Sequence, residues 1–269
     1  VTILLFFIGL GLGIVLNSLA DNLPPDALGQ RRAPRRPHCR YCGAAHRPEF
    51  WLALASWIVR GGRCEHCGAP RPLRHAAVEA VTALALAYLW GWAGAQPFKF
   101  LSAAVIVFIF LLITIIDFEH RLILWIVIYP SAAIVALIGI LAPDRGWQKT
   151  LLGGAVGFGL VWGMFLLGEV FSRVIALARG RPLEEVAFGW GDVNLAGVIG
   201  LAVGWSGILF AVVIAIFSAA LFGLAYIVFQ RVRGRYSLFT PIPYGPFLVL
   251  GAALVYLYGK EIAAAYAGR

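Results

Sequence analysis

Long apolar blocks separated by short polar breaks make up most of the chain. They cover residues 1–20, 76–95, 98–116, 122–142, 151–178, 193–229 and 247–267. A helix needs about 20 apolar residues to cross a bilayer, so most of these blocks match one crossing each. The block at 193–229 is too long for one crossing, and Gly204-Trp205-Ser206-Gly207 divides it into a short helix and a full one. The pattern thus predicts eight transmembrane helices. The first block reads as a spanning helix and not as a signal peptide, because no small-residue cleavage site follows it.

One long segment breaks the pattern. Residues 21–74 carry ten arginines together with Pro24, Pro25, Pro34 and Pro37; such a segment cannot span, and it predicts a small folded module between helices one and two. Composition agrees with a membrane protein: 61% of the 269 residues are hydrophobic and 13% charged, against about 25% charged in a soluble domain. The expected fold class is an all-α polytopic membrane protein surrounded by the lipid bilayer, divided into a transmembrane helix at 1–20, the polar module at 21–74 and a membrane domain at 75–269.

In a soluble protein the net charge of +9 would suggest a nucleic-acid partner. Here the basic residues sort by side instead, and no nucleic acid is expected. With the N-terminus outside, the loops at 21–74, 118–121, 173–191 and 231–244 face the cytoplasm and hold 17 of the 22 Lys and Arg residues, as the positive-inside rule requires.

This orientation changes the meaning of two carboxylates. Asp117 closes the block at 98–116, and Asp192 opens the block at 193 within Gly189-Trp190-Gly191-Asp192. A turn followed by an Asp helix cap is the bland reading of that tetrapeptide. It does not account for two carboxylates from distant positions arriving at one membrane depth, where ionisable groups are costly and mark functional sites. Two carboxylates sharing a water are the minimal equipment of aspartic-protease chemistry. Gly189 and Gly191 remove side-chain bulk where a second helix end or an extended substrate must come close. Helix direction divides the labour: Asp117 stands at a helix C-terminus, where the macrodipole disfavours negative charge, and Asp192 at an N-terminus, where free N–H groups favour it. Asp192 is therefore expected to be the base and Asp117 the acid.

The polar module carries a second constellation. Cys39-x2-Cys42 and Cys64-x2-Cys67 are all four cysteines of the chain, and Gly43 and Gly68 follow the two pairs. Two such knuckles supply a closed tetrahedral shell for a structural Zn²⁺. Disulfides are the alternative, which a reducing cytoplasmic side disfavours. A module this small draws much of its folding free energy from the metal. With four sulfurs in place, His38, His46 and His66 are expected to be solvated.

Most other polar residues have simpler readings. Glu169 and Arg173, and likewise His75 and Glu79, are expected to form ion pairs four residues apart, and the nine Trp are expected at interfaces or in packing. Glu184 and Glu185 would be a solvated face, or acidic charge that attracts a basic segment. A rival from another class is a transporter or assembly factor with a zinc docking module, since intramembrane carboxylates also relay protons; against it, no inverted repeat is visible and both aspartates sit at one edge.

In order along the chain come Asn17 with Leu23-Pro24, the two Cys-x-x-Cys knuckles enclosing Ser56-Trp57 and Arg60-Gly61-Gly62-Arg63, then Val78-Glu79. Ile116-Asp117 with Arg121 and Ile123, Gly189-Trp190-Gly191-Asp192, and Pro243-Tyr244-Gly245-Pro246-Phe247 follow. In this order the chain resembles the bacterial type IV prepilin peptidases, of the bifunctional leader peptidase and N-methyltransferase kind, over nearly its full length. The resemblance implies an inner-membrane enzyme whose substrates are prepilins and pseudopilins. It implies removal of their short basic leader at the cytoplasmic face, and methylation of the new amine using S-adenosylmethionine as cofactor. The chain departs from the family pattern at Ile123-Leu124-Trp125, where Ile-Pro and an Asp or Asn are usual, at Asn194, where Lys is usual, and around Phe50 to Ala53, where Asn-Ile-Pro is usual. Both aspartates and all four cysteines are kept.

Overall fold

The computed structural model describes residues 1–25, 36–179, 189–233 and 243–266. Among the described residues the regular structure is helical: α1 (Thr2–Asn22), α2 (Ala53–Arg60), α3 (Leu73–Trp92), α4 (Pro97–His120), α5 (Trp125–Leu141), α6 (Gly146–Arg179), α7 (Trp190–Val203), α8 (Gly207–Val232) and α9 (Gly245–Tyr266), with a 3-10 turn at Pro48–Phe50. The eight predicted membrane helices are α1 and α3 to α9; α2 and the 3-10 turn lie inside the polar module. Helices α1, α4, α6, α8 and α9 contain stretches long and apolar enough to cross a bilayer, and α5 and α7 are shorter apolar helices. The first turns of α3 carry Arg74, His75 and Glu79. The predicted break between α7 and α8 is real, with Gly204 at φ 76° and Ser206 at φ 65°. On α8, Phe217, Leu221 and Val232 are 70% exposed or more, a face that suits lipid and not water.

The chain divides into two units, Val1–Ile116 and Asp117–Arg269, with the boundary inside α4. In the first, α1 and α3 pack backbone to backbone: a side chain at Gly9 would strike the backbone of Ala83, and one at Gly13 that of Glu79. Small residues permit this approach in a membrane, where packing and not water exclusion drives association. Polar contacts then gather at one end of the pair. The Asn17 side-chain amide donates to the His75 carbonyl at 3.0 Å. Asp21, in the last turn of α1, pairs with Arg40 at 2.7 Å and His75 at 3.0 Å, and with Arg74.

The expected pair of His75 with Glu79 does not form. His75 turns to Asp21, while Glu79, fully buried, accepts the backbone N–H groups of Ala53 and Leu54 at 2.8 Å each. Those N–H groups open α2 and have no intrahelical acceptor, so a carboxylate there serves as a cap from a distant helix. Arg71 completes the anchorage by donating to the carbonyls of Phe50 at 2.6 Å and Trp51 at 3.0 Å.

In the second unit α7 is the central helix. Val193, Leu195, Ala196, Val198, Ile199 and Ala202 are at most 2% exposed, enclosed by α5, α6, α8 and α9. Glycines again set the distance: a side chain at Gly200 would meet the carbonyl of Gly153 on α6, and one at Gly157 that of Ala196. Helix α6, with 34 residues, is about 50 Å long, well beyond a hydrocarbon core of about 30 Å. Its expected Glu169–Arg173 pair forms at 3.0 Å.

Candidate active site and cysteine centre

Asp117 lies in the last turn of α4 and is 5% exposed. Asp192 lies in the first turn of α7 and is half-buried. Both belong to the second unit. The start of α9 meets both helices: a side chain at Gly245 would reach Asp117 Oδ2 and Leu195 of α7, three residues on from Asp192. The helix ends of the two aspartates are those expected: a C-terminus for Asp117 and an N-terminus for Asp192.

Each carboxylate is held by backbone. The Asp192 carboxylate accepts the Gly189 N–H at 2.9 Å, and the Asp192 N–H donates to the Gly189 carbonyl at 3.0 Å, closing the turn that starts α7. Gly191 has a separate reason: a side chain there would strike the β-carbon of Ile123, just upstream of α5. Trp190 meets Phe158 and Phe165 of α6 edge to face, with ring centres 6.0 Å apart in both pairs. Asn194, at the position where the family usually has Lys, ties its amide back to the Trp190 carbonyl at 2.8 Å.

Asp117 faces the start of α9. The Gly245 backbone N–H is directed at its carboxylate, and a side chain at Gly245 would land on Asp117 Oδ2. That oxygen is buried and closes no hydrogen bond among the described residues, leaving an acceptor, or a carboxyl proton, available at the site. The α4 helix stops at Arg121, whose φ is 53° and whose N–H donates to the Asp117 carbonyl at 2.9 Å. Burial, and then the Asp192 charge, push the Tyr244 hydroxyl up to about 12, so it stays a neutral group.

Tyr244 and Gly245 were visible in the sequence only as part of Pro243-Tyr244-Gly245-Pro246-Phe247. The approach of Gly245 to Asp117 carries no periodic or spacing signal, because it joins segments that are far apart in the chain. Glu184 and Glu185 lie outside the described residues.

The four cysteines come together in the first unit, with all four sulfurs within 4.8 Å of one another. Cys39 and Cys67 sulfurs are 3.8 Å apart, and Cys42 and Cys64 sulfurs 3.9 Å. Four thiolates at about 2.3 Å from a tetrahedral Zn²⁺ would be about 3.8 Å apart, so the cluster fits the metal. The two knuckles repeat one geometry. Cys39 accepts from Gly43 at φ 71° and Cys64 from Gly68 at φ 69°, while Cys39 and Cys64 donate to Ala44 and Ala69 at 2.9 Å. The Tyr41 and His66 N–H groups point at the Cys39 and Cys64 sulfurs at 3.4 Å. Burial opposes ionisation of Cys64, but the N–H groups of Cys67 and His66 and the neighbouring thiols outweigh it and draw its thiol down to about 6.

The expectation for the nearby histidines holds only in part. His66 is exposed, but His46 is 8% exposed and lies 4.0 Å from Glu65. It is a packed residue under the first knuckle, and its carbonyl takes the Trp51 indole N–H at 3.0 Å.

Comparison with known proteins agrees along the chain. The type IV leader peptidase family matches residues 104–224, and the bacterial peptidase A24 N-terminal domain matches residues 7–92. A prepilin leader peptidase/N-methyltransferase of Bacillus subtilis is 26% identical over 98% of this chain and 96% of its own length. The protein of that name from Pseudomonas aeruginosa is 26% identical over 96% and 91%. One from Burkholderia pseudomallei is 31% identical over 83% and 67%. No solved structure matches the chain.

Proposed function

The chain belongs to the type IV leader peptidase family, and we propose on that premise that it is a membrane aspartic endopeptidase acting on type IV prepilins and pseudopilins. It removes their basic leader at the cytoplasmic face of the bacterial inner membrane, with its own N-terminus outside, and methylates the new amine using S-adenosylmethionine. What supports the reading is that Asp117 ends α4 and Asp192 starts α7, and that Gly245 lies against both Asp117 and Leu195 of α7.

The chemistry follows from the two environments. Asp192, in the first turn of α7 and accepting the Gly189 N–H, takes a proton from the water that attacks the scissile carbonyl. Asp117, at the C-terminal end of α4, carries the proton that polarises that carbonyl and then passes to the leaving amine. After collapse Asp192 holds the proton taken from water and Asp117 is ionised; passing that proton from Asp192 to Asp117 restores the starting state, and no covalent intermediate is needed. Gly189 and Gly191 keep the α7 end free of bulk, and Gly245 does so above Asp117. The apolar helix of the substrate enters from lipid while its leader stays in the cytoplasm.

Residues 21–74 form a separate module in this reading, stapled by Zn²⁺ on Cys39, Cys42, Cys64 and Cys67, and 75–269 form the peptidase domain. Four sulfurs leave the metal no open position, so it supports structure and not the reaction. Incubating the purified protein with a prepilin and S-adenosylmethionine, and weighing the product by mass spectrometry, tests both activities. Leader loss with a mass gain of one methyl group is expected; an uncut prepilin overturns the reading.

A further inference from the structure

One stretch of the polar module is not polar. Residues 50–59 are apolar apart from Ser56, and Arg60, Gly61, Gly62 and Arg63 follow them. A run of this length is too short to span a bilayer and suits a segment that enters one leaflet and leaves on the same side.

The packing of α1 on α3 sets its depth. The two helices run in step: Gly9 meets Ala83, Gly13 meets Glu79, and Asn17 bonds the His75 carbonyl. Helix α1 is long and apolar enough to cross a bilayer, and Asp21, with Arg40, Arg74 and His75 around it, marks its polar end. Gly13 lies about 12 Å from Asp21 along the axis. Glu79, at the level of Gly13, holds the first N–H groups of α2 at 2.8 Å; a helical side chain leans toward its N-terminus, which brings the carboxylate a few ångströms back toward the polar end. Past the other end of α2, the Gly62 carbonyl accepts the Arg71 N–H at 2.6 Å, just before α3 begins. Helix α2 therefore starts well inside the polar end of α1 and climbs back toward it.

Its backbone is satisfied as lipid demands. A helix end in water needs no distant partner, whereas an open backbone group in a bilayer is costly. Here Glu79 meets the N–H groups of Ala53 and Leu54, Arg71 meets the carbonyls of Phe50 and Trp51, and the Gly61 and Gly62 N–H groups return to the Ser56 carbonyl. What the protein leaves uncovered is apolar: Ile58 is 79% exposed and Val59 71%. Beside them Arg60 stacks over the Phe50 ring at 4.3 Å and, like Arg63, is exposed.

We infer that residues 50–59 dip into the leaflet on the module's side, the cytoplasmic one in the orientation proposed above. Ile58 and Val59 meet acyl chains there, and Arg60 and Arg63 meet anionic phospholipid headgroups. The cysteine knuckles stay on the polar side. A lipid surface fits better than a free anion, because the arginines adjoin an uncovered apolar pair. This holds whether or not the chain cleaves or methylates a prepilin.

The test places the full-length protein in nanodiscs of phosphatidylglycerol doped with a phospholipid that carries a diazirine on its acyl chain. Irradiation and peptide mapping by mass spectrometry should find acyl adducts within 50–59, beside those on α1 and α8, and none within 36–48. Adducts on the spanning helices without any in 50–59, or equal labelling of 36–48, overturn the inference. Ile58→Asp combined with Val59→Asp removes no buried contact and should lower adducts in 50–59 by about tenfold, at unchanged zinc stoichiometry and unchanged labelling of α8. Undiminished labelling of that variant counts against insertion. Replacing phosphatidylglycerol with phosphatidylcholine should lower labelling of 50–59 severalfold in the wild type and hardly at all in Arg60→Gln combined with Arg63→Gln. An equal response in the two proteins overturns the headgroup contact.

Discussion

The two units solve the same problem, holding helices together, with opposite materials. In the second, glycines do it: Gly153 and Gly157 let α6 lie on the backbone of α7, and the polar groups that matter are confined to one end. In the first, glycines join α1 to α3, but the module at their end is held by charge. Asp21 pairs with Arg40, Arg74 and His75, Glu79 caps α2, Arg71 binds two carbonyls, and four sulfurs converge. Each device suits its surroundings. In lipid, association depends on close packing and satisfied backbone, so small residues serve. A short segment outside it has too little apolar area for a core, so it depends on long-range hydrogen bonds and a metal.

The largest break should come at the aspartates. Asp117→Asn and Asp192→Asn are each expected to lower prepilin cleavage by at least about a hundredfold, with membrane insertion and zinc content unchanged. The amide keeps size and packing but cannot exchange the proton. Gel assay of leader removal, beside metal analysis of the same sample, reads both; substantial turnover by either variant ends the dyad proposal.

Next is the glycine contact. Gly200→Leu places a side chain on the Gly153 carbonyl, a clash with backbone that no rotamer relieves, and should cost at least the roughly 1–3 kcal/mol typical of overpacking. Limited proteolysis should show residues 117–266 opened while the cysteine module stays resistant. Equal loss of both units would mean that they are not held separately.

Cys64→Ser should act on the first unit alone. It removes one of four ligands, so zinc should fall well below one equivalent and hydrogen exchange should rise across 36–72, while exchange in α7 stays slow. Full zinc occupancy in this variant would count against the four-sulfur shell.

How legible each region was in the sequence follows the same division. The membrane helices were readable because apolar block length reports them directly, including the break at Gly204. The two aspartates and four cysteines stood out because carboxylates at membrane helix ends and Cys-x-x-Cys pairs are rare without a reason. The module's interior was not readable. Glu79 capping α2, and His75 turning from Glu79 to Asp21, depend on contacts between residues tens of positions apart, which local i,i+4 spacing misassigned. Helix α2 is only Ala53–Arg60, too short to show a pattern of its own. Gly245 opposite Asp117 was invisible for the same reason, although its motif was seen.

The smallest expected effect concerns His46, whose burial the sequence did not show. Burial, and then the charge of Arg71, lower its basicity, with Glu65 opposing. The folded module thus binds its proton less readily than the unfolded chain, whose histidine titrates at about 6.5. The sign follows from linkage: the stability contributed by neutral His46 is fully present above that pH and is lost as pH falls through the folded value. Hydrogen exchange across 36–50 should therefore lose more protection between pH 7.5 and 5.5 in the wild type than in His46→Gln. Comparing the two proteins at each pH cancels the intrinsic exchange rate, and zinc measured in every sample separates this effect from metal loss. The expected difference is a few-fold, because the group is one of several contacts under the knuckle and Glu65 offsets part of the cost. An equal loss in both proteins would show that acid acts through the thiolates alone and that His46 is only packing.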